Sequence, residues 1–146
     1  MRLVLDASIV LPLVASSKPE AYQLRNWTEQ VLDGDDAHII GTLTQLEVMS
    51  ALNQMEANFE IEEAWATEVQ RRSFGWPYVR ENMTQPRLER VWELRKRFTL
   101  YDAAYLATTE SLQAEHTEDV ALLTADPKLK GAAAGTLPCQ ILTFPG

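Results

Sequence analysis

The stretch RLVLDAS, residues 2–8, decides the reading of the chain. Three apolar residues, Leu3-Val4-Leu5, run into Asp6, and two small residues, Ala7 and Ser8, follow. A second apolar run, IVLPLVA (9–15), comes at once. Residues 2–6 read as a short strand buried on both faces, and a helix starts near Ala7. Asp6 is therefore a carboxylate between two segments bound for the core. Burying such a charge is costly unless it is paired or coordinated. Asp6 has either a structural duty or a place in a site.

The rest of the chain repeats the strand-then-helix pattern. AHIIG (37–41), WPYVREN (76–82), VALLTA (120–125) and CQILTF (139–144) read as strands. Helical spacing predicts a helix over 18–36, where Tyr22, Leu24, Trp27, Val31 and Leu32 fall at roughly helical spacing and Asp33-Gly34 ends the run. Further helices are expected over 42–57, 60–73, 84–98 and 99–113. Thr84 is the expected N-cap of the helix over 84–98, with Leu88, Val91 and Trp92 as its apolar stripe. Short apolar strands alternating with helices predict an α/β fold: a three-layer sandwich whose mostly parallel central sheet is flanked by helices. In such sheets ligands bind beyond the carboxyl ends of the strands.

The 146 residues suit one domain, 1–146, large enough to bury a core without disulfides or a structural metal. A single cysteine, Cys139, permits no internal disulfide, and neither His38 nor His116 sits in a zinc-ligand pattern. A reducing cytoplasm suits this composition. Asp6 and Pro12 interrupt the apolar start, which argues against a signal peptide. No apolar run approaches the ~20 residues needed to cross a bilayer. The net charge of −8 argues against an extended basic surface for gripping nucleic acid, but not against an enzyme that touches a few phosphates.

Four carboxylates stand out. Asp6 and Asp126 each follow a strand, where a doubly wound sheet presents a site. Glu47 lies in an apolar helix between Leu43 and Ala51, and Asp102 precedes Ala103-Ala104 near a helix start. Each also has a plainer explanation. Asp6 can cap the helix after it. Asp126-Pro127 suits an N-cap and N1 pair, and Thr44-x-x-Glu47 and Thr99-x-x-Asp102 suit capping boxes. Capping does not explain why all four adjoin apolar runs at strand–helix junctions. Four acids at one sheet edge repel and raise one another's pKa unless a cation neutralises them. Oxygen donors without a Cys/His set favour Mg²⁺ or Mn²⁺, and such an ion suits phosphodiester hydrolysis.

At these residues the chain resembles the PIN-domain nucleases, and most of all the VapC-type toxins of toxin–antitoxin pairs. LVLDAS (3–8) is similar to that family's opening strand with its first metal-binding Asp. TLTQLEVMSAL (42–52) is similar to the helix carrying its Glu, LYDAAYLATTE (100–110) to its helix-start Asp, and LLTADPKL (122–129) to its Thr-x-Asp signature. The resemblance spans the chain. It implies a PIN-like fold and a metal-dependent endoribonuclease. It also implies that Asp6, Glu47, Asp102 and Asp126 bind Mg²⁺ or Mn²⁺, and that Ser8 and Thr124 support the site by hydrogen bonds. It further implies an RNA substrate, a cognate antitoxin protein and a homodimer; for the last the sequence itself offers indirect support in Trp27, Met55 and Trp65, apolar side chains in excess of what one small core accommodates. On a strand Thr124 and Asp126 face the same side.

Two groups of arginines invite a nucleic-acid reading. Arg71-Arg72 and Arg95-Lys96-Arg97 form basic runs, and Arg87, Arg90 and Arg97 are expected on one helical face. RNA phosphates are one use for them; a solvated amphipathic face is the other and the preferred one. Trp65, Trp76 and Tyr78 suit the core or a partner interface better than base stacking. A phosphoacceptor receiver module would want a pair of acids after the first strand, and an aspartyl-phosphate phosphatase would want Asp-x-Asp, but position 8 is Ser. The remaining alternative is a PIN-like scaffold that binds protein or RNA without cleaving it.

Overall fold

The computed structural model describes residues 1–15, 26, 37–134, 137 and 139–143. The helix expected over 18–36 lies outside them, apart from residue 26. Five strands build one sheet: β1 (Arg2–Leu5), β2 (Ala37–Gly41), β3 (Val79–Glu81), β4 (Val120–Thr124) and β5 (Gln140–Thr143). Six helices are described: α1 (Ala7–Val14), α2 (Thr42–Ala57), α3 (Glu63–Gly75), α4 (Gln85–Leu94), α5 (Leu100–Glu115) and α6 (Pro127–Ala133). The strand order is β3-β2-β1-β4-β5 and every pairing is parallel. The chain winds outward from β1 to β3, then returns to the other side of β1 for β4. The reversal puts the topological switch point between β1 and β4.

Strand alternation makes the three layers. Leu3 and Leu5 face one side with Ile9, Val10, Leu13, Val48, Leu52 and Val69, so α1, α2 and α3 cover that face. Val4 faces the other side with Val91, Leu94, Leu106, Leu112 and Leu129, so α4, α5 and α6 cover that one. A strand buried on both faces needs apolar residues at odd and even positions alike. That is why β1 and β4 read as unbroken apolar runs, with β4 buried at all five positions.

The helix phases depart from expectation in one place. On α4 the buried residues are Arg87, Val91 and Leu94, while Leu88 and Trp92 are exposed. The turn is decided by Arg87, only 4% exposed. Its guanidinium reaches Glu81 at 2.8 Å, the Asn82 carbonyl at 2.9 Å, Ser111 at 2.9 Å and Glu115 at 3.5 Å. A buried cation with several acceptors fixes the helix against β3 and α5. No helix among the described residues is long and apolar enough to cross a membrane.

Candidate active site

The parallel register of β1 and β4 sets the first pair of site residues. Leu5 lies opposite Leu123, and the Asp6 N–H donates to the Leu123 carbonyl at 3.3 Å. Asp6 and Thr124 therefore meet at the carboxyl edge. The Thr124 hydroxyl donates to Asp6 Oδ2 and the Ser8 hydroxyl donates to Asp6 Oδ1 at 2.5 Å. Both hydroxyls are themselves held: Ser8 Oγ accepts from the Ala125 N–H at 2.9 Å, and Thr124 Oγ1 from the Asp126 N–H at 3.1 Å. Asp6 stands at the N-cap position of α1 but makes no side-chain cap bond. Its carboxylate is turned across the sheet to Thr124, and the Ile9 N–H at the start of α1 favours its charged form only weakly, so capping is the lesser part of its role.

Asp6 is buried at 5% exposure and makes no ion pair with Lys or Arg among the described residues. Burial pushes its pKa up to about 6, the two hydroxyls oppose the rise, and the charge of Glu47 adds to it. Glu47 projects from α2, half-buried, and accepts a hydrogen bond from the Tyr105 hydroxyl. The Thr44 hydroxyl donates to the Leu5 carbonyl at 3.5 Å, and the N-cap of α2 is Gly41. Thr44 therefore ties α2 to β1 and does not cap its own helix, contrary to the capping-box expectation.

The other two acids sit at helix starts as expected. Thr99 caps α5 by accepting from the Asp102 N–H at 3.1 Å, and Asp126 caps α6 by accepting from the Lys128 N–H at 2.9 Å. Burial raises the pKa of Asp102, the hydrogen bond from Thr99 opposes it, and the charge of Asp126 adds to the rise. The charge of Glu47 thus bears on Asp6 and that of Asp126 on Asp102. Among the described residues no three His, Cys, Asp or Glu side chains come close enough together to hold a metal ion. The donor chemistry fits a hard divalent cation: all oxygen, with a buried acid that has no cationic side chain beside it among the described residues.

Tyr105 is the site residue that sequence reasoning passed over. It looked like one more apolar position in YDAAYLA. Its separation of three residues from Asp102 on α5 put both on one helical face, which is the signal that could have found it. Of the arginines, only Arg87 departs from the solvated face preferred for them. Arg87 is buried in ion pairs, and Arg90 bridges Glu93 at 2.8 Å and Glu110 at 3.1 Å. Arg71 and Arg72 pair with Glu68 at 2.7 and 3.2 Å. Trp65, Trp76 and Tyr78 pack against the α1–α2–α3 core, as expected.

The sequence matches the PIN domain family over residues 3–135. It is 34% identical over 141 residues to Ribonuclease VapC1 of Mycobacterium tuberculosis, covering 94% of each chain. By structure it is similar to VapC20 of Mycobacterium tuberculosis, a sarcin-ricin loop cleaving toxin. That match has a TM-score of 0.67 at 12% identity, over 89% of this chain and 94% of the other. It is also similar to a chain of VapBC2 from Rickettsia felis, solved bound to a DNA fragment from their promoter. There the TM-score is 0.65 at 11% identity, with 98% of each chain covered. The match over nearly the whole chain, together with the acids at the switch point of its parallel sheet, leads to one conclusion: this chain belongs to the PIN domain family, among the relatives of the VapC ribonucleases.

Proposed function

We propose that the chain is a Mg²⁺- or Mn²⁺-dependent endoribonuclease, the toxin of a pair whose second member is a protein antitoxin. The observation that carries this reading is Asp6: a buried carboxylate held by two hydroxyls at the sheet's carboxyl edge, with no Lys or Arg beside it among the described residues. Asp6, Glu47, Asp102 and Asp126 would hold the cation by drawing together on it, since no three of them stand close enough without it among the described residues. Bound there, such a cation polarises the phosphodiester and steadies charge on the leaving oxygen.

The chain's own residues prepare the site. Ser8 and Thr124 fix both oxygens of Asp6 in place. Tyr105 orients Glu47 through its hydroxyl. The Thr99 cap sets the first turn of α5 and with it Asp102. Asp126 uses one carboxylate oxygen for its own helix cap, which leaves the other for the cation. The VapBC assembly of the structural neighbour supports an antitoxin partner for this chain. A homodimer and a cytoplasmic setting complete the reading. Purified protein should cut a pool of structured RNAs with Mn²⁺ or Mg²⁺ and stop in chelator; cleavage that persists in chelator contradicts the assignment.

A further inference from the structure

The loop that leads into the Asp102 helix carries a feature the carboxylate site does not use. Trp92, near the end of α4, is 63% exposed, and Leu88 one turn before it is 52% exposed. The Arg95 guanidinium lies over the indole, 3.8 Å from the ring centroid, and donates to the Trp92 carbonyl at 2.6 Å. Arg95 covers one face of the ring, and the high exposure leaves the other to solvent. Lys96 and Arg97 follow directly. None of the three cations forms a salt bridge among the described residues, as is also true of the isolated Arg80, Lys128 and Lys130, and the Arg97 guanidinium lies 5.4 Å from the Phe98 ring centroid. In a chain of net charge −8, three consecutive cations free of carboxylates are a local exception. Arg97 lies five residues before Asp102, a separation of at most about 18 Å even in an extended chain.

We propose that Trp92 and the Arg95-Lys96-Arg97 run form a docking platform for single-stranded RNA, with Trp92 stacking one base and the cations holding the phosphates that lead to the Asp102 edge. The proposal rests on the ribonuclease reading and names where its substrate is gripped. Charge selects this occupant: a phosphate backbone complements unpaired cations, and a base complements an open indole stiffened by a cation on its far face. Mixed stacking and phosphate contacts tolerate sequence, so the platform gives affinity and direction more than base choice.

The test uses the full chain carrying Asp6→Asn, in chelator, and a fluorescently labelled ten-nucleotide oligoribonucleotide of mixed sequence, read by anisotropy. Trp92→Ala is expected to weaken binding about five- to a hundredfold, and Trp92→Phe to retain most of it. Replacing Arg95, Lys96 and Arg97 by Gln is expected to flatten the slope of log affinity against log salt by about 2. Unchanged affinity in Trp92→Ala, with the parent still binding RNA, overturns the platform and leaves the ribonuclease reading standing. A parent that binds no RNA overturns both. If Trp92→Ala instead changes the oligomeric state in light scattering while RNA affinity holds, the patch is an interface between copies and the proposal fails.

Discussion

Thr124 and Asp6 are 118 residues apart in sequence and joined by a hydrogen bond at the switch point of the sheet. The bond exists because β1 and β4 pair in a register that ends both strands together. Thr124→Val keeps the side chain's shape and removes the donor. The variant should fold, and its affinity for Mn²⁺, measured by calorimetry, should fall about 10- to 100-fold, as for other residues that orient a metal ligand. Ser8→Ala should act in the same direction. Unaltered Mn²⁺ affinity in both would mean that the two hydroxyls serve only the strand ends.

The burial of Asp6 has a measurable cost without metal. Its pKa is pushed up to about 6 in the fold, from 3.8 when exposed. Between about pH 4 and pH 6 the folded chain holds a proton that the unfolded chain has released, so stability falls as pH rises through that window. In chelator, Asp6→Asn should therefore be more stable than the parent at pH 7, by up to about 3 kcal/mol. The gap should close below pH 4. Denaturant melts of the pair across pH check this, and a gap independent of pH would remove desolvation as its cause.

Tyr105 restrains Glu47, so Tyr105→Phe tests whether that restraint matters. Cleavage at saturating Mn²⁺ is expected to drop about tenfold, with a weaker Mn²⁺-induced rise in melting temperature. Burial and the neighbouring Glu47 charge hold the Tyr105 phenol protonated far above its ordinary range. The rate should therefore show no tyrosine titration up to pH 10.

Arg87 and Arg97 share a sequence-level expectation but stand in different surroundings, one buried and one exposed. Arg87→Ala leaves Glu81 without its partner and opens a gap between α4 and α5. It is expected to cost about 3–5 kcal/mol of stability. Arg97→Ala, next to solvent, should stay within about 0.5 kcal/mol. Urea unfolding of both variants decides, and equal costs would refute the structural role given to Arg87.

The contrast between α4 and β1 explains what was legible in the sequence. Leu3-Val4-Leu5 and VALLT marked two doubly buried strands, because each apolar run is too short for a usual helix and ends at a polar residue. The acids after them followed from the rule for parallel sheets. The phase of α4 was not legible. Leu88, Val91 and Trp92 form a proper apolar stripe, but the buried face is chosen by Arg87 and its acceptors on β3 and α5. A buried ion pair depends on groups far apart in sequence, and periodicity does not register it. Tyr105 escaped for a related reason: its ring belongs to the core pattern, and only its hydroxyl belongs to the site. Thr44-x-x-Glu47 also suits a capping box because spacing alone does not tell a local bond from the tertiary bond Thr44 makes to Leu5.

The most direct test of the account sets the parent beside Asp6→Asn in one assay of RNA cleavage, with Mn²⁺ and with chelator. The account predicts cleavage by the parent in Mn²⁺, none in chelator, and a loss of at least 100-fold, on the order of 3 kcal/mol of transition-state stabilisation, in the variant. Equal cleavage by parent and variant in Mn²⁺ would contradict the role given to Asp6 and the site built around it.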